Sequence, residues 1–262
     1  MTRPIATSPL EIPSSSPRLR IVSYNIHKGL GPANRRFVLD GIRTALAALD
    51  ADIVLVQEVI GEHQRHRERF EAWPGGSQTR YLAEGTWPHC AYGANAFYPD
   101  GDHGNAILSR LPIRSWENID LSINSWERRG LLHAEVELPD GSPLHLGCLH
   151  LDLFEATRRR QIGLLCRRIE AAVPHDAPLV IGGDFNDWRG TATSRLRREV
   201  GLDEAFHALS RKHARTFPAW SPVLALDRIY VRNLRPVDAR VVHGDRWRRM
   251  SDHLAIQVDV TA

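Results

Sequence analysis

A short polar loop that follows a strongly apolar run constrains the fold of this chain more than any other stretch. Residues 178–181 read Pro-Leu-Val-Ile, and residues 182–187, Gly-Gly-Asp-Phe-Asn-Asp, come directly after them. The run has the composition of a buried strand, and the strand ends of α/β sheets are where such proteins bind ligands. Asp184 and Asn186 are two residues apart, so in extended backbone their side chains point the same way. The two glycines would let the backbone approach a ligand.

Three further polar clusters follow apolar runs elsewhere in the chain. Asn25 follows a predicted strand at 19–22, Glu58 follows one at 52–56, and a Ser-Asp-His sequence at 251–253 lies near the C-terminus. One cluster alone would be an ordinary turn, because Gly, Asp and Asn also end strands. Four clusters at four strand ends favour a shared site. Carboxylates, amides and histidines suit a divalent cation and a phosphate group.

Taken in chain order, these stretches resemble the endonuclease/exonuclease/phosphatase family, the DNase I-like metal-dependent phosphoesterases. The resemblance extends from about residue 20 to about residue 260 and leaves none of the expected polar positions empty. It also covers a histidine after a central strand, in Cys-Leu-His-Leu-Asp at 148–152, and an aspartate in Leu-Asp-Arg-Ile-Tyr at 226–230. The positions that match the family's motifs are Asn25, Glu58, His150, Asp184, Asn186, Asp227, Asp252 and His253.

The resemblance implies a metal centre that holds Mg²⁺ or Mn²⁺. Glu58 is the predicted principal ligand, because it follows the apolar run at the mouth of the core. Asn25 is expected beside it, with an oxygen for the metal shell or an amide for the phosphate. Asp252 is expected to join the same shell.

The remaining matched residues are predicted to be catalytic. Asp184 would orient and deprotonate the attacking water, and Asn186 would donate to the nonbridging phosphate oxygens. The resemblance pairs Asp227 with His253, since a histidine needs a partner to fix its tautomer. That pair would either hold the phosphate as an imidazolium or replace Asp184 as the base, and the sequence leaves both roles open. His150 would contact the phosphate or the leaving group.

Two residues at predicted strand entrances, Asn105 and Arg129, are predicted to bind substrate. The neighbouring His103 and Arg128, and also His27, are expected to be solvated surface residues. Asp187 is expected to cap the segment that follows it rather than to act in catalysis. An aromatic loop within 81–98 is expected to shape the cleft.

Charge and cysteine content narrow the function classes. The formal net charge is only +3, which suits an anionic substrate but is small for a dedicated nucleic-acid binder. The three cysteines are widely spaced and form no C-x-x-C pair, so neither a disulfide framework nor a zinc knuckle is expected. No apolar stretch is long enough to span a bilayer, and no secretory signal is recognisable. The chain is therefore expected to be soluble and cytoplasmic.

The periodicity of the chain predicts alternating strands and helices. Helices are expected at 36–49, 155–172 and 193–200, and strands at 106–109, 131–138, 144–149, 225–231, 237–243 and 253–260. Residues 1–17 are proline- and serine-rich and are expected to be a disordered tail. Residues 18–262 are expected to form one catalytic domain. The predicted fold is a four-layer α/β sandwich, in which two mixed, mostly antiparallel sheets pack face to face with helices outside.

These observations predict a metal-dependent phosphoester hydrolase, in which water attacks phosphorus. Its partner would be a phosphate-ester substrate, and no protein partner is implied. Within that class, nucleic acid and lipid headgroups both remain open as substrates, because the resemblance cannot name one. A catalytically inactive phosphate-binding protein of the same fold is the contrasting hypothesis.

Overall fold

The computed structural model describes residues 18–32 and 36–261. The predicted tail at 1–17 lies outside the described residues. The strands are β1 (Arg18–Asn25), β2 (Ile53–His63), β3 (His89–Tyr98), β4 (Gly101–Ser109), β5 (Ile113–Asp120), β6 (Gly130–Glu137), β7 (Pro143–His150), β8 (Leu179–Asp184), β9 (Asp203–Glu204), β10 (Asp227–Arg232), β11 (Arg235–Val241) and β12 (Ile256–Thr261). The α-helices are α1 (Leu39–Ala47), α2 (Gln64–Arg69), α3 (Gln78–Ala83), α4 (Glu155–Ala172), α5 (Thr191–Val200), α6 (Ala205–Ser210) and α7 (Asp245–Met250).

The strands form two six-stranded sheets of similar construction. The first sheet has the order β11-β12-β1-β2-β4-β3, and the second has the order β5-β6-β7-β8-β10-β9. Each contains one parallel pair, β1 with β2 and β7 with β8, and its other pairings are antiparallel. A helix connects each parallel pair, as a crossover between parallel strands requires. Both sheets are therefore mixed and mostly antiparallel, as predicted.

Three apolar clusters place the sheets and helices in layers. The cluster between the sheets joins residues such as Leu55 and Ile107 of the first sheet to Leu146 and Val180 of the second. A second cluster packs α1, α3 and α7 on the outer face of the first sheet. A third packs α4 and α5 on the outer face of the second sheet. The predicted four-layer sandwich is confirmed.

Most predicted elements occur with small shifts at their ends. The helix predicted at 155–172 has those bounds, whereas the one predicted at 36–49 is shorter, at Leu39–Ala47. The strand predicted at 253–260 begins only at Ile256, so His253 lies in the loop before it. The aromatic loop prediction was wrong for most of its length, because residues 89–98 form strand β3. Its alternating small and aromatic residues form an edge strand, a pattern that the many turn-type residues nearby obscured.

The two glycines before Asp184 lie where the backbone packs closely against its neighbours. A Cβ on Gly182 would lie 2.6 Å from Leu55 Cδ1, a side chain of the facing sheet. Gly183 has φ +146°, and a Cβ there would lie 1.9 Å from the carbonyl oxygen of Leu149. The pair therefore allows close packing between and within the sheets, and its approach to a ligand stays a prediction.

The three cysteines are free thiols, as expected. Among the described residues, no helix has the length and apolar character needed to cross a membrane.

Candidate active site

Strand register places three of the predicted catalytic residues in one row across the second sheet. His150 ends β7 and pairs with Asp184 at the end of the parallel strand β8. On the other side of β8, Asp184 pairs with Asp227 at the start of the antiparallel strand β10. All three side chains are buried, with at most 8% of any of these residues exposed. The row is a direct consequence of the sheet order β7-β8-β10.

The first sheet contributes Asn25 and Glu58 from its parallel pair. Asn25 is the last residue of β1, and the backbone there runs beside Gln57 of β2. The register of β2 shifts between Val56 and Val59, and Glu58 lies in this bulge with φ 57°. A glutamate is uncommon in the left-handed region, and its strain costs about 1–3 kcal/mol. Bulges beside active sites typically turn a side chain to a new direction.

The side chains from both sheets meet at one carboxylate oxygen, Oδ2 of Asp184. Asn25 donates its Nδ2 hydrogens to this oxygen, at 3.2 Å, and to Glu58 Oε1, at 3.4 Å. His150 also lies between these two carboxylates, with Nε2 at 3.5 Å from Asp184 and Nδ1 at 3.9 Å from Glu58. His253 Nε2 lies 3.6 Å from the same oxygen of Asp184. The structure therefore brings these five residues together.

A chain of hydrogen bonds fixes the orientation of His253. Its Nδ1 lies 2.9 Å from Oδ2 of Asp227, and Thr216 donates its hydroxyl to the same oxygen. Ser251 accepts a hydrogen bond from the His253 backbone N–H and donates its own hydroxyl to the Asn25 carbonyl. Sequence reasoning missed both Thr216 and the bridging role of Ser251. Thr216 lies in an irregular segment with no motif, so the sequence carried no signal for it.

The pKa values of the two central groups, Asp184 and His253, are both raised above their ordinary values. Burial raises the pKa of Asp184 to about 6, with the nearby Asp227 acting in the same direction and His253 against it. Burial alone would lower the pKa of His253, but the carboxylates of Asp227 and Asp184 outweigh it and raise the pKa to about 10. Burial, together with the positive charge of Arg129, lowers the pKa of His150 well below its usual range. At neutral pH, His253 is an imidazolium and His150 is a neutral imidazole.

Asn186 and Asp187 are held by the backbone of the loop. Asn186 has φ 50°, a conformation that asparagine tolerates, and its amide donates to the Leu151 carbonyl at 2.9 Å. A carboxamide has two N–H donors, so one remains for a ligand. Asp187 accepts from the Ala192 N–H at 2.7 Å and from the Thr191 hydroxyl, and it therefore caps the start of α5, as expected.

Three other predicted residues lie near this centre with contacts of their own. The buried Asn105 donates from Nδ2 to the carbonyls of Gly130 and Cys148, so both of its donors are used to join the sheets. Asp252 is half-buried, and its Oδ1 lies 3.3 Å from the Ser251 hydroxyl oxygen. Arg129 is mostly buried and forms an ion pair with Glu127. The substrate and metal roles predicted for these residues stay predictions.

A cavity of about 870 Å³ opens beside Glu58 and contains several residues that the sequence did not single out. Arg129 lies in its wall. His103 also lines it, and burial lowers the pKa of His103 to about 4, so the prediction of a solvated surface histidine was wrong. Other lining residues that the motifs did not indicate are Lys28, Asn95, Phe97, Tyr98 and Trp126.

The chain is similar to curated proteins over nearly its whole length. A protein of Escherichia coli strain K12, described as "Uncharacterized protein YbhP", is 42% identical over 242 residues, which are 92% of this chain and 95% of that protein. A protein of the same description from Shigella flexneri has the same identity and coverage.

Solved structures share the fold at lower identity. A structure of an endonuclease/exonuclease/phosphatase from Beutenbergia cavernae superposes with a TM-score of 0.77 at 21% identity, covering 93% of this chain and 71% of that chain. D. rerio TDP2, in a complex with a single-strand DNA product, superposes with a TM-score of 0.68 at 20% identity, covering 94% and 99%. The model of the Endonuclease/Exonuclease/phosphatase family matches residues 22–253, a span that includes all the clustered side chains described above. The chain belongs to the endonuclease/exonuclease/phosphatase family.

Proposed function

We propose that this protein hydrolyses phosphate esters by attack of water on phosphorus, with the help of a divalent cation. The observation that carries the proposal is the convergence of Asn25, His150 and His253 on one oxygen of Asp184. These groups come from four separate segments of the chain. A buried carboxylate with an amide and two imidazoles around it provides a base and hydrogen-bond donors for an anionic phosphate.

The residues beside the cavity fit a cation such as Mg²⁺ or Mn²⁺. Among the residues that the structure describes, the Glu58 carboxylate has no lysine or arginine within ion-pair distance, although its side chain is only 18% exposed. Within the described part of the chain its one close donor is the Asn25 amide, so most of its hydrogen-bonding capacity is unused there. Oxygen ligands of this kind suit hard divalent cations. Glu58 and Asn25 would hold the ion, and Asp252 would complete the set.

A cation bound there would offset the negative charge that develops on the phosphoryl group. The rest of the chemistry belongs to the side chains of this chain. Asp184 accepts the proton of the attacking water, for which a pKa near neutrality is well matched. His253 donates from Nε2 to a phosphate oxygen, while its Nδ1 stays bonded to Asp227. This arrangement favours Asp184 as the base and His253 as the imidazolium that holds the phosphate.

Asn186 and His150 would contact the other phosphate oxygens. Asn186 has one amide N–H beyond its bond to Leu151, and Nε2 of His150 lies 3.5 Å from Asp184 Oδ2. Donors fixed before the substrate binds stabilise charge in the transition state at little cost in reorganisation. Arg129, in the cavity wall, would bind the part of the substrate beyond the scissile phosphate.

The proposal is tested by hydrolysis of bis-p-nitrophenyl phosphate and of p-nitrophenyl phosphate, with Mg²⁺, Mn²⁺ or EDTA. We expect turnover that requires the metal and stops with EDTA, and the comparison of the two substrates gives the preference for diesters or monoesters. Plasmid DNA, a single-stranded oligonucleotide and phospholipid vesicles extend the substrate panel. Absence of metal-dependent turnover on every substrate would instead support a phosphate-binding protein without activity.

A further inference from the structure

The exposed apolar side chains of this protein are concentrated around the candidate active site. Twelve large hydrophobic side chains are exposed among the described residues, and nine of them lie on the loops and the strand end that border the site. Scattered single exposures are normal, whereas a contiguous exposed apolar patch marks an interaction surface. We refer to the most exposed loop residues of this group as the apolar collar: Trp126, Leu153, Phe154, Trp188, Trp220 and Val223.

One side of the collar lies on the loops that follow the catalytic row. Leu153 and Phe154 follow His150 by a few residues, and Trp188 follows Asp184 in the same way. Arg158 links these two loops, because it donates to the Leu153 carbonyl at 2.9 Å and its guanidinium lies 4.9 Å from the centre of the Trp188 ring.

The other collar residues lie across the same opening. Trp220 follows Ala219, whose N–H donates to the carbonyl of Asp252 at 2.7 Å, next to His253. Phe217 of the same loop packs against the His253 ring at 5.0 Å between centroids. Trp126 is 79% exposed and lines the cavity that contains Glu58. The collar therefore borders the site on several sides.

Exposed arginines are interspersed with the collar. Arg189 follows Trp188 directly, and Arg128 is two positions after Trp126. Arg215 precedes Thr216, whose hydroxyl contacts Asp227. Arg128 and Arg189 share their charge with Asp120 and Glu155, whereas Arg215 has no carboxylate within ion-pair distance among the described residues. The rim is thus apolar with a modest positive charge.

We propose that the apolar collar docks this protein on a phospholipid bilayer that contains anionic lipids, so that a lipid phosphodiester can enter the site. Tryptophan and phenylalanine at loop tips partition into the membrane interface, and arginines beside them attract anionic headgroups. This inference rests on the proposed function, because the choice of a lipid surface assumes that the site takes a phosphate ester. The occupant must present a phosphate ester to the site that the collar surrounds, and a lipid surface does so.

The composition of the collar favours a lipid surface over single-stranded nucleic acid. Nucleic-acid grooves combine aromatic stacking platforms with a strong positive charge along the backbone path. Here the aromatic residues alternate with aliphatic ones, Leu153 and Val223, which offer no flat face to a base.

The test is co-sedimentation of the full chain with vesicles of phosphatidylethanolamine and phosphatidylglycerol, in the absence of metal so that binding is read without turnover. We expect binding that weakens with salt and with replacement of phosphatidylglycerol by phosphatidylcholine. Trp220→Ser and Phe154→Ser should each weaken binding about tenfold, since each removes one inserted aromatic side chain. Trp116→Ser is the matched control, because Trp116 is 52% exposed on β5, away from the collar, and should bind as the unmodified protein does.

Several outcomes would overturn the proposal. The first is absence of vesicle binding by the unmodified protein. The second is a loss of binding in Trp116→Ser as large as the loss in the two collar variants. Binding of a labelled oligo(dT) that depends on Trp220, without vesicle binding, would replace the lipid with nucleic acid. Concentration-dependent dimers that Trp220→Ser abolishes, again without vesicle binding, would replace it with a second copy of this chain. The two proposals can fail separately. If the unmodified protein binds vesicles but does not hydrolyse bis-p-nitrophenyl phosphate, docking holds and the proposed hydrolase function fails.

Discussion

Asp227 Oδ2 and His253 Nδ1 lie 2.9 Å apart, although the two residues are 26 positions apart in the chain. Asp227 begins β10, and His253 lies in the loop before β12. This contact leaves Nε2 of His253 directed at Asp184, at 3.6 Å. The orientation of the imidazole therefore depends on a carboxylate that does not itself need to touch the substrate. A positioning role of this kind is testable separately from the role of the histidine.

Asp227→Asn should lower the rate of phosphodiester hydrolysis by roughly 10²- to 10⁴-fold. The neutral amide no longer stabilises the imidazolium and accepts the Nδ1 hydrogen less strongly. Steady-state turnover of bis-p-nitrophenyl phosphate measures the loss, and the thermal unfolding midpoint checks that the fold is intact. Asp238→Asn, at a half-exposed aspartate of β11, is the control and should keep the rate of the unmodified protein. A rate for Asp227→Asn within about threefold of that value contradicts the positioning role.

Asp184→Asn should also abolish most turnover, by roughly 10²- to 10⁴-fold, because the amide cannot accept the water proton. The variant is nearly isosteric and its amide oxygen can keep the hydrogen bond from the Asn186 N–H, so folding should be retained. Single-turnover kinetics, with the protein in saturating excess over substrate, separate this loss from a loss of binding. Near-normal single-turnover rates would remove Asp184 from the role of base. Asp245→Asn, at an exposed residue of α7, serves as the control.

Glu58→Gln should weaken the binding of Mn²⁺ by at least about tenfold, since it would remove the negative charge of the proposed ligand beside the cavity. Calorimetric titration of the protein with Mn²⁺ measures this without any assay of activity. Glu84→Gln changes an exposed carboxylate on the far side of the first sheet and should leave the affinity unchanged. Equal Mn²⁺ affinities for Glu58→Gln and the unmodified protein would exclude Glu58 as a ligand.

The buried pair His133 and His145 should make the stability of the fold depend on pH. The two rings share a contact of 3.2 Å between Nε2 and Nδ1, and burial lowers the pKa of both, with Glu135 acting in the opposite direction. Their folded pKa values lie below the unfolded value of about 6.5, so the folded protein binds fewer protons. The stability from this pair is present above pH 6.5 and is lost as the pH falls towards the lowered values.

Urea unfolding at a series of pH values between 7.5 and 5 measures this effect. The unmodified protein should lose stability over that range, and His145→Gln should lose less, because one of the two depressed titrations is absent. Identical slopes for the two proteins would show that the pair does not titrate as inferred from its burial.

Gly182→Ala should destabilise the sandwich by about 1–3 kcal/mol, the usual range for overpacking a core. Its added methyl group would overlap Leu55 Cδ1 of the opposite sheet. Gly75→Ala is the matched control, because a Cβ at Gly75 meets no atom within 4 Å. The free energy of unfolding from urea titration compares the two variants. A Gly182→Ala protein as stable as the Gly75→Ala protein would mean that the sheets are not tightly packed at this point.

The candidate site was readable from the sequence where short motifs follow apolar runs. Asp184 and Glu58 could be predicted because a strand end is encoded locally, by a few apolar residues and the polar residues that follow them. The elements that the sequence missed have weaker local signals. Strand β3 was predicted as a loop, since its alternation is broken by small residues and is stabilised by pairing with β4. Tertiary pairing overrides local propensity in such strands.

The sequence by itself determined which polar residues end the strands and therefore which side chains were available for chemistry. Only the tertiary structure decided how they meet. Register across β7, β8 and β10 put His150 and Asp227 on either side of Asp184, and a bulge turned Glu58 towards the same point. The physical reason is that contacts between distant segments depend on sheet order and on the packing of two sheets. Neither quantity is encoded in any short stretch of the chain.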